Sequence, residues 1–171
     1  MKRLTPLRAV ASGLAAGVVG TVFMTAWQEL AARLRSVAAD GAPESPGPPQ
    51  DPWENASAPA KVAKRIGEGV FHKPVSSERI PLLTNAMHWG YGTTWGAVYG
   101  LAAGSARDAP GLAEGAAFGT VVWVMSYVQL VPMGLYDPPW KTPPLELALD
   151  LSYHLVYGAG VGGAYRLLRR G

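Results

Sequence analysis

The sequence predicts an all-α integral membrane protein, a four-transmembrane-helix bundle built from a duplicated two-helix unit. The prediction depends on a low charge content, four apolar segments and an internal repeat. Of the 171 residues 49% are hydrophobic and 16% are charged, whereas soluble domains carry about 25% charged residues. The length suits one domain, so we interpret residues 1–171 as a single membrane domain.

Four apolar segments are long enough, or nearly long enough, to cross a bilayer. Uncharged runs cover residues 9–28, 80–106 and 115–136, and a hydrocarbon core takes roughly 20 helical residues to cross. A fourth segment is less apolar, because Glu146 and Asp150 fall in its first turns. The predicted spans are residues 7–32, 81–104, 111–131 and 145–168.

The first span begins like a signal peptide, with basic residues followed by an apolar run. That run continues past the usual length into Phe23, Met24 and Trp27. We therefore expect a retained first helix.

A long loop, residues 33–80, separates the first two spans. Its first part, SVAADGAPESPGPPQDPWENAS, is rich in proline and small polar residues that cannot build a core. The later stretch APAKVAKRIGEGVF places Val62, Ile66 and Val70 four residues apart, with basic residues elsewhere on the wheel. This pattern predicts a short amphipathic helix, which either lies on the membrane surface or packs on the outer end of the bundle.

The charge distribution predicts the topology. Basic residues cluster beside the first and last spans: Lys2, Arg3, Arg8, Arg166, Arg169 and Arg170. The positive-inside rule then places both termini in the cytoplasm. Nucleic-acid binding would need a basic face on a soluble fold, so we expect no nucleic-acid partner. The chain has no cysteine, which excludes disulfides and thiolate metal sites.

An internal repeat appears when the chain is shifted by 66 residues. HWGYGTTWGAVYGL, residues 88–101, then aligns with HLVYGAGVGGAYRL, residues 154–167, and His88 meets His154. The preceding spans align more loosely, with one gap, as GLAAGVVGTV from residue 13 and GLAEGAAFGTV from residue 111. Two spans per unit give a parallel repeat about an axis along the membrane normal, with the two histidines at one depth. The alternative is coincidence in a glycine-rich chain.

Glycines recur at four-residue intervals in every predicted span. This spacing puts them on one helix face, where they let lipid-embedded helices approach closely. It predicts tight helix packing within the chain, or a face for a homo-oligomer. The residues are Gly13, Gly17, Gly92, Gly96, Gly100, Gly111, Gly115, Gly119, Gly158 and Gly162.

Polar residues gather at those ends of the spans that the topology places outside. They are Gln28, Glu29, His88, Gln129, Glu146, Asp150 and His154. Glu146, Asp150 and His154 are four apart and share a helix face, so we expect a polar outer vestibule. Ionisable groups in a membrane usually indicate function, and we expect His88 to pair with His154, and Asp150 with either. The alternative is that these groups are wet near the headgroups or only tie helices together.

Three stretches, GTVFMTAWQE, PWENASAPAKVAKRI and HWGYGTTWGAVYG, resemble the YagU-like group of small bacterial inner-membrane proteins. The resemblance implies a helical bundle in the bacterial cytoplasmic membrane. That group is largely uncharacterised, so the resemblance implies no catalytic residue and no substrate.

Three functional hypotheses follow. In the first, the vestibule handles protons or a small solute, for which the histidine pKa near 6.5 is suitable. In the second, His88, His154 and Asp150 bind a divalent metal, or the two histidines bind a haem. In the third, the chain is an assembly subunit that binds partner membrane proteins. An enzyme is not favoured, because G-x-S-x-G, phosphate-loop and H-E-x-x-H motifs are absent from the sequence.

Overall fold

The computed structural model describes residues 5–39, 51–105 and 111–169. Their secondary structure is entirely helical, so the all-α prediction is confirmed for this part of the chain. The α-helices are α1 (Pro6–Ala39), α2 (Ala58–Phe71), α3 (Ile80–Gly104), α4 (Leu112–Leu130) and α5 (Pro144–Leu168), and 3-10 turns cover Ser77–Arg79 and Pro139–Lys141. Lys2, Arg3, Arg170 and half of the Pro-rich stretch, residues 40–50, lie outside the described residues.

The helix ends follow from local chemistry. Prolines occupy the first turns of α2, α3 and α5, where the missing amide proton costs no helical hydrogen bond. At the start of α4, the Glu114 carboxylate accepts a 2.8 Å hydrogen bond from the Gly111 amide, as in one half of a capping box. α2 ends at Phe71, and the capping residue that follows, His72, has a left-handed φ of 54°. The first helix is longer than the predicted span, because α1 continues to Ala39.

The four long helices form a bundle, and going around its axis their order is α1, α3, α4, α5, with α5 again beside α1. α1 packs along both α3 and α5, α4 packs along α5, and α2 packs on α3. α3 meets α4 through aromatic rings, with Phe118 edge-on to Trp95 and Tyr99. The buried core between the helices is centred on Tyr99, Tyr157 and Tyr165.

The glycines of the predicted repeat pack in two similar helix pairs. A Cβ on Gly96 of α3 would collide with the Cα of Gly17 in α1, and a Cβ on Gly162 of α5 would collide with the Cα of Gly115 in α4. Gly96 and Gly162 are the positions that the 66-residue shift aligns. The pairs α1–α3 and α4–α5, called the two hairpins below, therefore make equivalent glycine contacts.

The predicted gap between the first helices of the two units is wrong. It matched Gly20 with Gly119, but a Cβ on Gly20 would meet Val161 of the other hairpin, whereas Gly119 faces its own partner helix α5. Thr21 has the position equivalent to Gly119. A Cβ on Gly92 would collide with Thr21, as a Cβ on Gly158 would collide with Gly119. The two helices therefore correspond without a gap.

One described helix is long and apolar enough to cross a membrane by length and composition. It covers residues 6–37; its most apolar 18-residue stretch has a mean hydropathy of 1.7, and 33% of that stretch is buried within the protein. Core helices of soluble proteins and signal sequences share these properties, so α1 by itself is weak evidence for membrane insertion. The other three predicted spans coincide with helices α3, α4 and α5.

Candidate functional site

A cavity of about 290 Å³ lies at the end of the bundle where α4 ends and α5 begins. Its walls come from these two helices and the loop that joins them. Three carboxylates and one ammonium group line it, so its formal charge is negative. The lining residues are Tyr127, Leu135, Tyr136, Asp137, Lys141, Thr142, Pro143, Glu146 and Asp150.

The loop over this cavity is held by backbone hydrogen bonds and prolines. The Leu130 carbonyl at the end of α4 accepts from the amides of Leu135, at 3.0 Å, and Tyr136, at 3.4 Å. Gly134 turns the chain with a φ of +65°, a conformation that glycine adopts at no steric cost. Four prolines between residues 132 and 143 restrict the remaining backbone. The sequence therefore closes the cavity with a stiff loop.

Asp150 is the most strongly positioned charged group of the cavity. Its Oδ2 atom accepts hydrogen bonds from Trp123 Nε1 at 2.9 Å and from the Tyr127 hydroxyl at 3.2 Å. Its Oδ1 atom lies 3.7 Å from His154 Nδ1, and its side chain is 24% exposed. Two donors thus fix the orientation of the carboxylate while part of it faces the cavity.

His154 lies one turn further into the bundle and is buried. Its Nδ1 atom is 2.8 Å from the Asp150 carbonyl oxygen. A carbonyl can only accept, so Nδ1 carries the proton in the neutral ring and Nε2 is the atom that gains or loses one. The expected pairing of Asp150 with a histidine is therefore found on α5 itself.

His88 is half-buried on α3. Its Nε2 atom is 3.3 Å from Thr25 Oγ1 of α1, and the two imidazoles are within electrostatic range of each other. The structure thus brings His88, His154 and Asp150 into one neighbourhood, with Thr25 as the hydrogen-bond partner of His88.

The other predicted site residues are less central. Glu146 is exposed at the cavity rim. Gln129 is exposed and donates to the Tyr91 hydroxyl at 3.2 Å. Gln28 is half-buried and Glu29 is exposed on α1, and neither belongs to the cavity lining.

Several residues in or beside the cavity were missed by the sequence analysis. Trp123 and Tyr127 position Asp150, and Tyr136 covers it from the loop, with edge-on ring contacts running through all three aromatic residues. Burial and, second, the nearby Asp150 charge raise the pKa of Tyr136 above its ordinary value, so its hydroxyl stays neutral. The four-residue spacing of Trp123 and Tyr127 could have indicated that they lie on one face of α4, the face that packs against Asp150 of α5. Nothing in the loop sequence indicated a role for Tyr136.

The metal hypothesis gains no support from the geometry. Within residues 5–39, 51–105 and 111–169, no group of three or more His, Asp or Glu side chains is placed to hold one ion. The distances instead describe hydrogen bonds between protein groups.

Together the fold and the cavity define a small helical-bundle protein with an acidic, aromatic-lined site at one end. The chain belongs to the family described as "Protein of unknown function (DUF1440)", whose model matches residues 36–162. The match includes every residue of the cavity lining, and it is compatible with the resemblance to the YagU-like group. No curated protein and no solved structure matches the chain.

Proposed function

We propose that the chain is a four-span membrane protein, crossed by α1, α3, α4 and α5, that binds a small cationic solute in the outer vestibule in competition with protons. The observation that carries the proposal is the oriented carboxylate of Asp150 at an acidic cavity, with a titratable histidine beside it. The membrane placement and the ligand chemistry are supported separately.

Exposed apolar side chains support the membrane placement. Each of the four long helices directs large hydrophobic residues away from the bundle, and so broad an apolar surface is costly in water. These residues include Leu14, Val18, Val22 and Phe23 on α1, Val98 and Leu101 on α3, Val121, Val124 and Val128 on α4, and Leu145, Leu167 and Leu168 on α5. Lipid acyl chains are the environment that suits such a surface.

The polar groups on these helices are compatible with lipid. The hydroxyls of Thr21, Thr94 and Ser126 donate to carbonyls one turn earlier, at 2.8 to 3.0 Å. Such internal bonds remove the need for water. The glycine-packed pairs also use the close backbone contact by which helices associate in bilayers.

The chemistry of the cavity favours a cation as the ligand. Asp137, Glu146 and Asp150 outnumber Lys141 among the charged lining residues. The rings of Tyr127 and Tyr136 form part of the same wall, and aromatic faces attract ammonium groups. A small organic ammonium ion fits this combination of carboxylate and aromatic rings.

A proton on His154 would compete with such a cation for the charge of the Asp150 carboxylate. Protonated His154 supplies a positive charge 3.7 Å from Asp150 Oδ1, which is the oxygen that the hydrogen bonds from Trp123 and Tyr127 leave available. A bound cation therefore disfavours protonation of His154, and the reverse holds by linkage. This coupling is what an exchanger or a proton-linked binding protein requires.

The ligand proposal is tested with tetramethylammonium and acetate as probes of opposite charge. Isothermal titration calorimetry on the full chain in lipid nanodiscs should detect tetramethylammonium binding and no acetate binding. Asp150→Asn should weaken tetramethylammonium binding at least about tenfold, which corresponds to about 1.4 kcal/mol. Asp137→Asn, a matched change at the exposed rim, should preserve most of it. Equal binding by wild type and Asp150→Asn would contradict the site.

The membrane proposal has its own test, which uses the absence of native cysteine. Single cysteines replace exposed Trp140, on the α4–α5 loop, or Ser105, after α3. In intact spheroplasts a membrane-impermeant maleimide should label Trp140→Cys, and Ser105→Cys only after permeabilisation. Equal labelling at both sites before permeabilisation would exclude this four-span topology, whatever the calorimetry shows.

A further inference from the structure

The amphipathic helix α2 has an apolar stripe whose C-terminal part the bundle leaves exposed. Val62, Ile66 and Val70 recur at four-residue intervals, and Ile66 and Val70 are 51% and 63% exposed. Phe71, at the end of the helix, is 70% exposed. An exposed stripe of this kind needs an apolar environment outside the protein.

α2 is fixed to the bundle by contacts that leave the stripe outside. Ala58 and Ala60 are buried at its first turn, and Ser57 shares a 2.8 Å hydrogen bond with Thr84 of α3. The Arg65 guanidinium donates to the Met133 carbonyl in the loop after α4. Because both ends of this attachment are set, α2 cannot rotate to bury Ile66 and Val70 against the bundle.

These contacts also fix the depth of α2. Thr84 lies in the second turn of α3, and Met133 lies just after the last residue of α4. Both positions are at the outer ends of helices proposed above to cross the membrane. α2 is therefore held at the level where a bilayer meets water.

The charge around the stripe indicates which surface it meets. Residues 58–79 contain five basic and two acidic side chains, an excess that favours anionic headgroups. The Lys64 ammonium lies 4.7 Å from the centre of the Trp53 ring, which adds an aromatic residue of the type found at membrane interfaces.

We propose that α2 lies in the outer membrane–water interface, with Ile66 and Val70 among acyl chains and its basic side chains on the phosphates of anionic lipids. The proposal rests on the four-span placement. It assigns α2 to lipid rather than to a protein partner, because the apolar stripe and the basic excess occur together at the depth of the headgroups.

The test attaches the environment-sensitive fluorophore NBD to single cysteines in the otherwise cysteine-free chain. Val70→Cys reports on the stripe, and Val124→Cys on the lipid-facing side of α4. Glu54→Cys, on an exposed residue before α2, is the aqueous control. Each variant is placed in vesicles of phosphatidylcholine alone, or of phosphatidylcholine with phosphatidylglycerol, that contain spin-labelled quencher lipids. All three changes affect exposed side chains, so the fold should be preserved.

NBD at position 70 should emit at shorter wavelength and be quenched several-fold more strongly than at position 54, with stronger quenching when phosphatidylglycerol is present. An aqueous spectrum at position 70 beside a quenched position 124 would overturn the inference and point to a protein partner for α2. Equal quenching in the two lipid mixtures would overturn the anionic-lipid part. An aqueous spectrum at position 124 would instead contradict the four-span placement.

Discussion

The hydroxyl of Tyr157 on α5 donates a 2.6 Å hydrogen bond to the carbonyl of Gly92 on α3. Two helical turns further along, the Tyr165 hydroxyl makes the same contact with the Gly100 carbonyl at 3.0 Å. Tyr99, the repeat counterpart of Tyr165, makes no equivalent hydrogen bond from α3 to α5, because its ring lies between Phe118 and Tyr165. The two hairpins thus share their glycine packing but differ in their polar contacts, which run from α5 to α3.

This difference predicts unequal effects for two tyrosine-to-phenylalanine substitutions. Tyr157→Phe removes a hydrogen bond in the bundle interior and should lower the free energy of unfolding by about 1 kcal/mol. Tyr99→Phe should be neutral or slightly stabilising, because within the described chain the buried Tyr99 hydroxyl has no hydrogen-bond partner. Thermal unfolding in mild detergent, followed by circular dichroism, measures both. An equal loss in the two variants would show that the Tyr157 contact is not special.

Glycine packing predicts a second pair of matched variants. A Cβ on Gly158 would meet the Gly115 carbonyl and the Cα of Gly119 at 2.7 Å, so Gly158→Ala must separate α4 from α5. We expect the free energy of unfolding to fall by about 2 kcal/mol, and to fall by a similar amount for Gly96→Ala in the first hairpin. Gly90→Ala, where a Cβ would meet nothing within 4 Å, should be neutral or stabilise the helix by up to about 1 kcal/mol.

The measurement is the same unfolding transition, with retention of secondary structure as a check that each variant folds. A tolerated Gly158→Ala would mean that α4 and α5 are not in backbone contact. A loss at Gly158 without one at Gly96 would mean that the two hairpins are not equivalent.

The sequence predicted the helices well because their limits are written locally. Pro81 and Pro144 lie in the first turns of α3 and α5, and glycine spacing marked the packed faces. It did not predict the asymmetry between the repeats, because this depends on what faces each tyrosine. The ungapped correspondence places Phe118 of α4 where α1 has Gly20. Phe118 fills the space beside Tyr99, whereas Gly20 leaves room for Tyr157.

The site was predicted only in part, for a similar reason. The four-residue spacing of Asp150 and His154 was enough to place them on one face of α5. The hydrogen bonds from Trp123 and Tyr127 to Asp150 depend on how α4 lies on α5, and the cover by Tyr136 depends on the path of a Pro-rich loop. Periodicity carries no information about either.

The role of Phe118 can be tested directly. Phe118→Ala would leave a void between α3 and α4 where the ring now contacts Trp95 and Tyr99. Large-to-small changes of this kind cost about 3 kcal/mol in a core, and a half-buried Phe118 should cost about 2 kcal/mol. Val121→Ala, at a 51% exposed position of the same helix, should cost little. If both variants unfold alike, α4 does not pack on α3 through this ring.

The competition at Asp150 predicts how cation binding depends on pH. A proton on His154 would add a positive charge 3.7 Å from Asp150 Oδ1, so tetramethylammonium should bind more weakly in acid than at pH 8. Asp150, on the same helix, and His88, on α3, are ionisable groups within electrostatic range of His154.

Two variants separate the histidines in this experiment. His154→Gln should remove most of the pH dependence and keep binding at pH 8, because Asp150 retains its hydrogen bonds from Trp123 and Tyr127. His88→Gln should keep a pH dependence, because its imidazole hydrogen-bonds Thr25 rather than Asp150. Calorimetric titrations of the three proteins between pH 5 and pH 8 measure the slopes. A wild-type affinity that does not change with pH, or a His154→Gln variant with the wild-type slope, would exclude His154 as the competing group.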